Sequence, residues 1–202
     1  MPGPAPDHLG DPVADTSPWN LANALTVLRL LLVPVFVLIA VPGFSQPDDQ
    51  LRVLAAVVFL VAAFTDFVDG EVARRRHLVT SFGKVADPIA DKALTGAALI
   101  VLSAFDALPW WVTLVVVGRE VAVTGLRFWV LEHGVIAASR GGKAKTLLQI
   151  VAITLYVLPL SGSADAARSV TMAAAVVVTL LTGADYVVRA LRLRRAALAA
   201  PS

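Results

Sequence analysis

The sequence predicts an all-α, polytopic membrane protein with six transmembrane helices and an amphipathic N-terminal juxtamembrane segment. Three observations carry this expectation. Hydrophobic residues make up 57% of the 202 positions, and the mean hydropathy is +0.77. Six apolar runs also follow one another, each near the length of about 20 residues that spans a bilayer. The chain has no cysteine, which excludes disulfides and thiolate metal sites.

Taken in order, residues 1–18 are rich in Pro, Gly and Asp and lack a basic n-region, so they read as a disordered tail rather than a signal peptide. Residues 17–29, anchored by Trp19, read as an amphipathic entry segment with Asn20, Asn23 and Thr26 toward lipid headgroups. The apolar runs lie at about 25–41, 51–72, 85–105, 109–131, 146–161 and 169–190. One membrane domain is therefore expected over 19–192, followed by a basic C-terminal tail, 193–202. An even number of spans puts both termini on one side. The connections on that side hold Arg74, Arg75, Arg76, Lys84, Arg140, Lys143 and Lys145, and the C-terminal region adds Arg189, Arg192, Arg194 and Arg195. The opposite connections hold only Arg52 and Arg168, beside Asp48, Asp49, Asp106 and Asp165. The positive-inside rule therefore places the termini in the cytoplasm. Trp110 and Trp111, after Pro109, suit an interfacial anchor on the far side.

The residues most at odds with an apolar environment are Asp66 and Asp69, ending the second run, and Asp87 and Asp91, opening the third. Spacings of three and four put each pair on one helix face. A hairpin turning near residues 74–83 would bring Asp66 and Asp91 to similar depth, roughly 12 Å inside, with Asp69 and Asp87 shallower. An Asp at a helix centre costs about 2.5 to 3.5 kcal/mol on insertion scales, and four converging carboxylates also repel one another. Two divalent cations would cancel that charge, and an all-oxygen donor set favours Mg²⁺, Mn²⁺ or Ca²⁺. A loop network pairing the aspartates with Arg74, Lys84 and Lys92 is the plainer alternative. Gly70, Ala73 and Gly83 leave backbone exposed beside the carboxylates, open to a flat ligand or to close helix packing.

Further along, Arg127 lies two turns beyond Arg119 on about the same face, a placement that suits a phosphate or a set of buried acceptors. Glu120, adjacent to Arg119, points to a different side. Residues 141–146, Gly-Gly-Lys-Ala-Lys-Thr, look like a phosphate loop but lack the glycine and the preceding strand that a Walker motif needs. A basic loop attracted to anionic lipid is the simpler use. His8, His77 and His133 show no metal-ligand spacing.

The pattern Asp66-x2-Asp69-Gly70-x2-Ala73-Arg74-x8-Gly83-x3-Asp87-x3-Asp91 resembles the signature of the CDP-alcohol phosphatidyltransferases. The segment from Asn20 to Arg29 with Pro34 extends that likeness to the phosphatidylglycerophosphate synthase branch, as do Phe82 to Lys92, Gly118-Arg119-Glu120 with Arg127 and Trp129, and Gly142 to Thr146 with Gln149. Lys84 departs from it, standing where a small residue is expected. The resemblance implies that Asp66, Asp69, Asp87 and Asp91 hold two divalent cations, Mg²⁺ or Mn²⁺. It also implies that Asp91 is the general base and that Asp66, Asp69, Gly70, Ala73, Arg74 and Gly83 contact CDP. Arg119, Arg127 and Lys145 are then the available side chains for an acceptor phosphate. The implied reaction moves a phosphatidyl group from CDP-diacylglycerol to sn-glycerol 3-phosphate, giving phosphatidylglycerophosphate and CMP, in a multi-pass cell-membrane homodimer with its site facing the cytoplasm. Phosphatidylglycerol or inositol phosphate as acceptor is the alternative within the family. A cation-coupled transporter is the alternative outside it, although neither inverted repeats nor midplane Gly/Pro breaks are seen.

The charge asymmetry is testable directly. In Leu78→Cys and Arg195→Cys, the thiol should react with an impermeant reagent only once the cytoplasmic side is opened. Labelling of both in intact cells would invert the arrangement.

Overall fold

A computed structural model describes residues 21–76, 81–130 and 140–199, with side chains described for 24–65, 92–126, 129, 141–162 and 164–195. Six helices make up the described residues, with no strand: α1 (Leu21–Ser45), α2 (Asp49–Arg76), α3 (Ser81–Ala104), α4 (Trp110–Val130), α5 (Arg140–Val157) and α6 (Ser163–Ala199). Segments Ala24–Ser45 of α1 and Ala164–Arg195 of α6 are each long and apolar enough to cross a membrane. At 37 residues, α6 is about 55 Å long, well beyond a hydrocarbon layer of about 30 Å. It runs through most of the segment expected as a tail, so Arg194 and Arg195 ride on a helix, and the Arg194 guanidinium stacks 4.5 Å from the Trp129 ring centre.

The bundle forms around an alanine-rich inner face of α2, against which larger apolar side chains of the neighbouring helices pack. On α2, Ala55, Ala56, Phe59, Ala62 and Ala63 are buried, a helical stripe whose alanines let neighbouring backbones approach closely. Phe59 meets Phe36 of α1 with ring centres 5.8 Å apart. Leu94, Ala98, Leu99 and Leu102 make the matching stripe on α3, while Ala152, Ile153, Tyr156 and Val157 do so on α5. Leu38, Phe64, Leu114 and Val170 are two-thirds or more exposed, the reverse of a water-facing surface and suited to lipid. α1 packs on α2 and α3, α5 touches α2, α3 and α6, and α4 leans on α3 and α6.

Connections are short and closed by local chemistry. Asp48 caps α2, its Oδ1 accepting from Gln50 N at 2.9 Å and Leu51 N at 3.1 Å. Gly43 is needed just before it, since a Cβ there would lie 3.1 Å from Leu51 Cβ. Asp106 ends α3 in the left-handed region at φ 56°, a conformation that Asp tolerates better than most residues. Ser103 and Thr113 then join α3 to α4 through a buried hydroxyl pair at 2.7 Å. Trp110 and Trp111, at the start of α4, are both exposed, as an interfacial anchor requires.

Two expectations need correction. Thr26 does not face headgroups: it is buried, as is Arg29 one turn on, because α1 is continuous from Leu21 and turns this face onto α2 and α3. Arg52, expected merely to lie in a sparse far-side connection, holds the end of α5. Its Nε donates to Val157 O at 3.0 Å, and Nη2 donates to Tyr156 O at 3.2 Å and Leu158 O at 3.1 Å. The guanidinium also lies 4.5 Å from the Phe44 ring centre. These last carbonyls have no partner within the helix and carry the negative end of its dipole, so a cation is the apt cap.

Arg52→Ala should therefore lower stability by about 2 kcal/mol, read as an earlier unfolding midpoint in detergent. Arg52→Lys should recover only part of it, because one ammonium cannot reproduce the fork.

Candidate active site

α2 carries Asp66, Asp69, Gly70, Ala73 and Arg74, and α3 carries Gly83, Asp87 and Asp91. Both stretches are helical at the backbone, so each acidic pair keeps the spacing that places it on one face. The side chains of residues 66–91 lie outside the described set, and the metal, CDP and base assignments made for them lie there too. Helix bounds nevertheless set their level. Asp66 is ten residues before the end of α2, and Asp91 is ten residues after the start of α3. Both sit about 15 Å along their helices. Each aspartate thus lies ten residues from the described end of its helix, at matching positions along α2 and α3.

One turn beneath these positions, α1, α2, α3 and α5 enclose a small cavity lined by Arg29, Phe59, Ala63, Leu94, Thr95, Thr146 and Ile150. Ala63 precedes Asp66 by three residues and Thr95 follows Asp91 by four, so each lies directly below its aspartate on the same helix face. Arg29 brings a fully buried guanidinium to this convergence. A buried arginine is tolerated where anionic or carbonyl acceptors surround it.

Beside the cavity lies a second polar cluster. Oε1 of Glu120 on α4 receives Lys145 Nζ of α5 at 2.5 Å and Arg119 Nη1 at 3.0 Å. Arg119 Nη2 continues to Thr182 Oγ1 of α6 at 3.1 Å. Gln149, one turn after Lys145, donates through Nε2 to Thr179 Oγ1 at 3.0 Å. Lys92, the residue after Asp91, stands on α3, which packs against both α4 and α5, the helices that carry this cluster. Thus Arg119 and Lys145, proposed from sequence for the same role, do converge, on one carboxylate oxygen. The side chain of Arg127, the third member of that set, lies outside the described residues.

The expectation that Glu120 points to a different side from Arg119 is corrected: the two neighbouring side chains bridge at 3.0 Å, and Lys145 joins them on the same oxygen. Sequence reasoning also missed the α6 residues Thr182, Thr179 and Gly183. Glu120 carried a readable signal, since an acid deep in an apolar run needs a cation nearby. The α6 residues carried none.

The sequence matches the CDP-alcohol phosphatidyltransferase family over residues 19–181. It is 53% identical over 173 residues to a Mycobacterium tuberculosis protein called probable phosphatidylglycerophosphate synthase, covering 86% of this chain and 82% of that one. A Bacillus subtilis CDP-diacylglycerol–glycerol-3-phosphate 3-phosphatidyltransferase is 39% identical over 180 residues, with coverages of 83% and 93%. The Escherichia coli protein of the same name is 39% identical over 141 residues, with coverages of 67% and 75%. The chain belongs to the CDP-alcohol phosphatidyltransferase family.

Proposed function

We propose that this protein transfers the phosphatidyl group of CDP-diacylglycerol to sn-glycerol 3-phosphate, releasing CMP. The observation that carries the reading is the complete acidic signature on two packed helices, with the Arg119–Glu120–Lys145 cluster at its side. Relatives of similar length bearing the name of this reaction support the choice of acceptor.

Six spans, with both termini and the mouth of the site in the cytoplasm and the chain paired as a homodimer, belong to the same reading. The orientation is supported by the Lys and Arg distribution, together with the structural employment of Arg52 and of Arg168; the homodimer rests on the family resemblance alone. Arg168 pairs with Asp165 at 3.1 Å and lies over the Tyr156 ring.

The donor set on α2 and α3 is all carboxylate, which fits a hard divalent ion such as Mg²⁺ or Mn²⁺. Asp66, Asp69, Asp87 and Asp91 would hold two of them, which when bound supply Lewis-acid neutralisation of the donor pyrophosphate. The chain's own residues do the rest. Gly70, Ala73 and Gly83 leave room for the cytidine nucleotide against bare backbone, and Arg74 at the mouth reaches its phosphates. Arg119, Arg127 and Lys145 hold the acceptor phosphate, orienting the primary hydroxyl toward Asp91. Asp91 takes the hydroxyl proton as the oxygen bonds to the phosphorus that carries diacylglycerol. The pyrophosphate bond to CMP breaks in the same displacement. Diacylglycerol stays in the bilayer throughout, which is why a polar site belongs at the end of a membrane bundle.

Chelation should abolish turnover, with Mg²⁺ or Mn²⁺ restoring it. Under restored conditions Asp91→Asn, which keeps shape but loses the proton acceptor, should turn over about 10² to 10⁴ times more slowly. Parental turnover in that variant would remove Asp91 from the chemistry.

Acceptor choice is tested with CDP-diacylglycerol and a panel of labelled glycerol 3-phosphate, phosphatidylglycerol and inositol phosphate. Glycerol 3-phosphate should be consumed in preference, and Arg119→Ala or Lys145→Ala should raise its KM far more than that of the lipid donor. Preference for another acceptor would leave the family standing and overturn this assignment.

A further inference from the structure

We infer that α6 sets the reach of the acceptor-binding arginine: Gly183 is the notch through which the Arg119 side chain passes, and the Thr182 hydroxyl fixes its guanidinium. Both are thereby positioning residues for recognition of a phosphate monoester. The inference rests on the assignment of Arg119 to the acceptor phosphate. It concerns residues beyond the family match, which ends at 181.

A guanidinium only donates, so any hydroxyl that holds it must offer a lone pair. Thr182 is arranged to do so. Its one hydroxyl proton is directed back along its own helix, to Val178 O at 2.7 Å and Thr179 O at 3.1 Å. That leaves oxygen lone pairs facing Arg119 Nη2 at 3.1 Å. The other terminal nitrogen, Nη1, is held at 3.0 Å by Glu120. Both ends of the fork are thus tied, one to α4 and one to α6.

Between the ties, the side chain lies across the bare backbone of Gly183. A Cβ at that position would stand 3.1 Å from Arg119 Nε, 3.2 Å from Cγ and 3.7 Å from Cδ. A free arginine would give way at little cost. This one cannot shift by a few tenths of an ångström without stretching a terminal hydrogen bond, and among the described residues no acceptor takes its buried Nε to compensate. Each terminal nitrogen keeps one further N–H for an anion, and where those donors point depends on the plane and reach of the fork, so a displaced stem weakens anion binding without touching the anion.

Close helix packing is what a small buried residue usually provides in membranes. The two roles differ in what they disturb. A packing role affects stability, or both substrates alike; a positioning role affects the acceptor alone.

The experiment uses full-length purified protein, with initial rates measured against glycerol 3-phosphate and CDP-diacylglycerol separately. Gly183→Ala and Thr182→Val should each raise KM for glycerol 3-phosphate about tenfold, the scale of one hydrogen bond to a charged group. KM for CDP-diacylglycerol and turnover at saturation should stay near the parent values. Thr182→Ser, which keeps the hydroxyl, should restore the parental KM. Gly96→Ala, at a site where an added Cβ meets nothing within 4 Å, controls for helix substitution in general. Should Gly183→Ala not fold, the near-isosteric Thr182→Val and Thr182→Ser pair still decides the matter. If Arg119→Ala raises that KM while Gly183→Ala and Thr182→Val do not, the inference is overturned and the acceptor assignment stands. If Arg119→Ala leaves it unchanged, the acceptor assignment itself fails and the inference falls with it.

Discussion

Charge held out of water must find opposite charge or a dipole within a few ångströms, and that constraint shapes this molecule more than its apolar packing does. Several of the described cations illustrate it differently. Arg52 spends its donors on the carbonyl end of a helix. Arg119 and Lys145 share one carboxylate oxygen, and Arg29 is buried at the meeting of four helices. Removing one member of such a set strands the others, so the polar interior is organised as linked groups rather than as separate contacts.

Small side chains make those links possible. Because the inner face of α2 is largely alanine, helix axes come close enough for side chains from α1 and α5 to meet in the cavity one turn below the acidic residues. The bulky α2 side chains Leu54, Val57, Leu60, Val61 and Phe64 face outward, as a lipid surface would favour. Helix association of this kind depends on complementary shape and on polar links, since lipid gives apolar surface little reason to leave it.

Much of this was legible in the sequence, for reasons that differ by element. The helix count followed from apolar runs of bilayer length, and the acidic faces of α2 and α3 followed from spacings of three and four, both local properties of a 3.6-residue period. The partners of Arg119 were not legible. Lys145 lies 25 residues from Glu120, and Thr182 lies 63 from Arg119. No periodicity within one helix encodes which face a distant helix will present. Thr26 was misplaced for a related reason: a polar residue near a membrane helix end suits headgroups and a buried seam equally well until the neighbouring helices are known. Gly183 looked like one small residue among many, and its significance lies wholly in the side chain that crosses it.

The cap that Arg52 places on α5 also works as a gauge. It joins α5 at Val157 to α2, the helix that carries Asp66. From Arg52 to Asp66 is a run of fourteen residues, about 21 Å of helix, and from Val157 back to Lys145 is twelve, about 18 Å. Two rods fastened at the far end thus bring their chemical groups to nearly one height at the near end, by length alone. An added or missing residue in either rod would shift its tip by about 1.5 Å and turn it by about 100°. A residue inserted into either rod would therefore separate the two levels, whereas α2 and α5 as they stand keep a common measure.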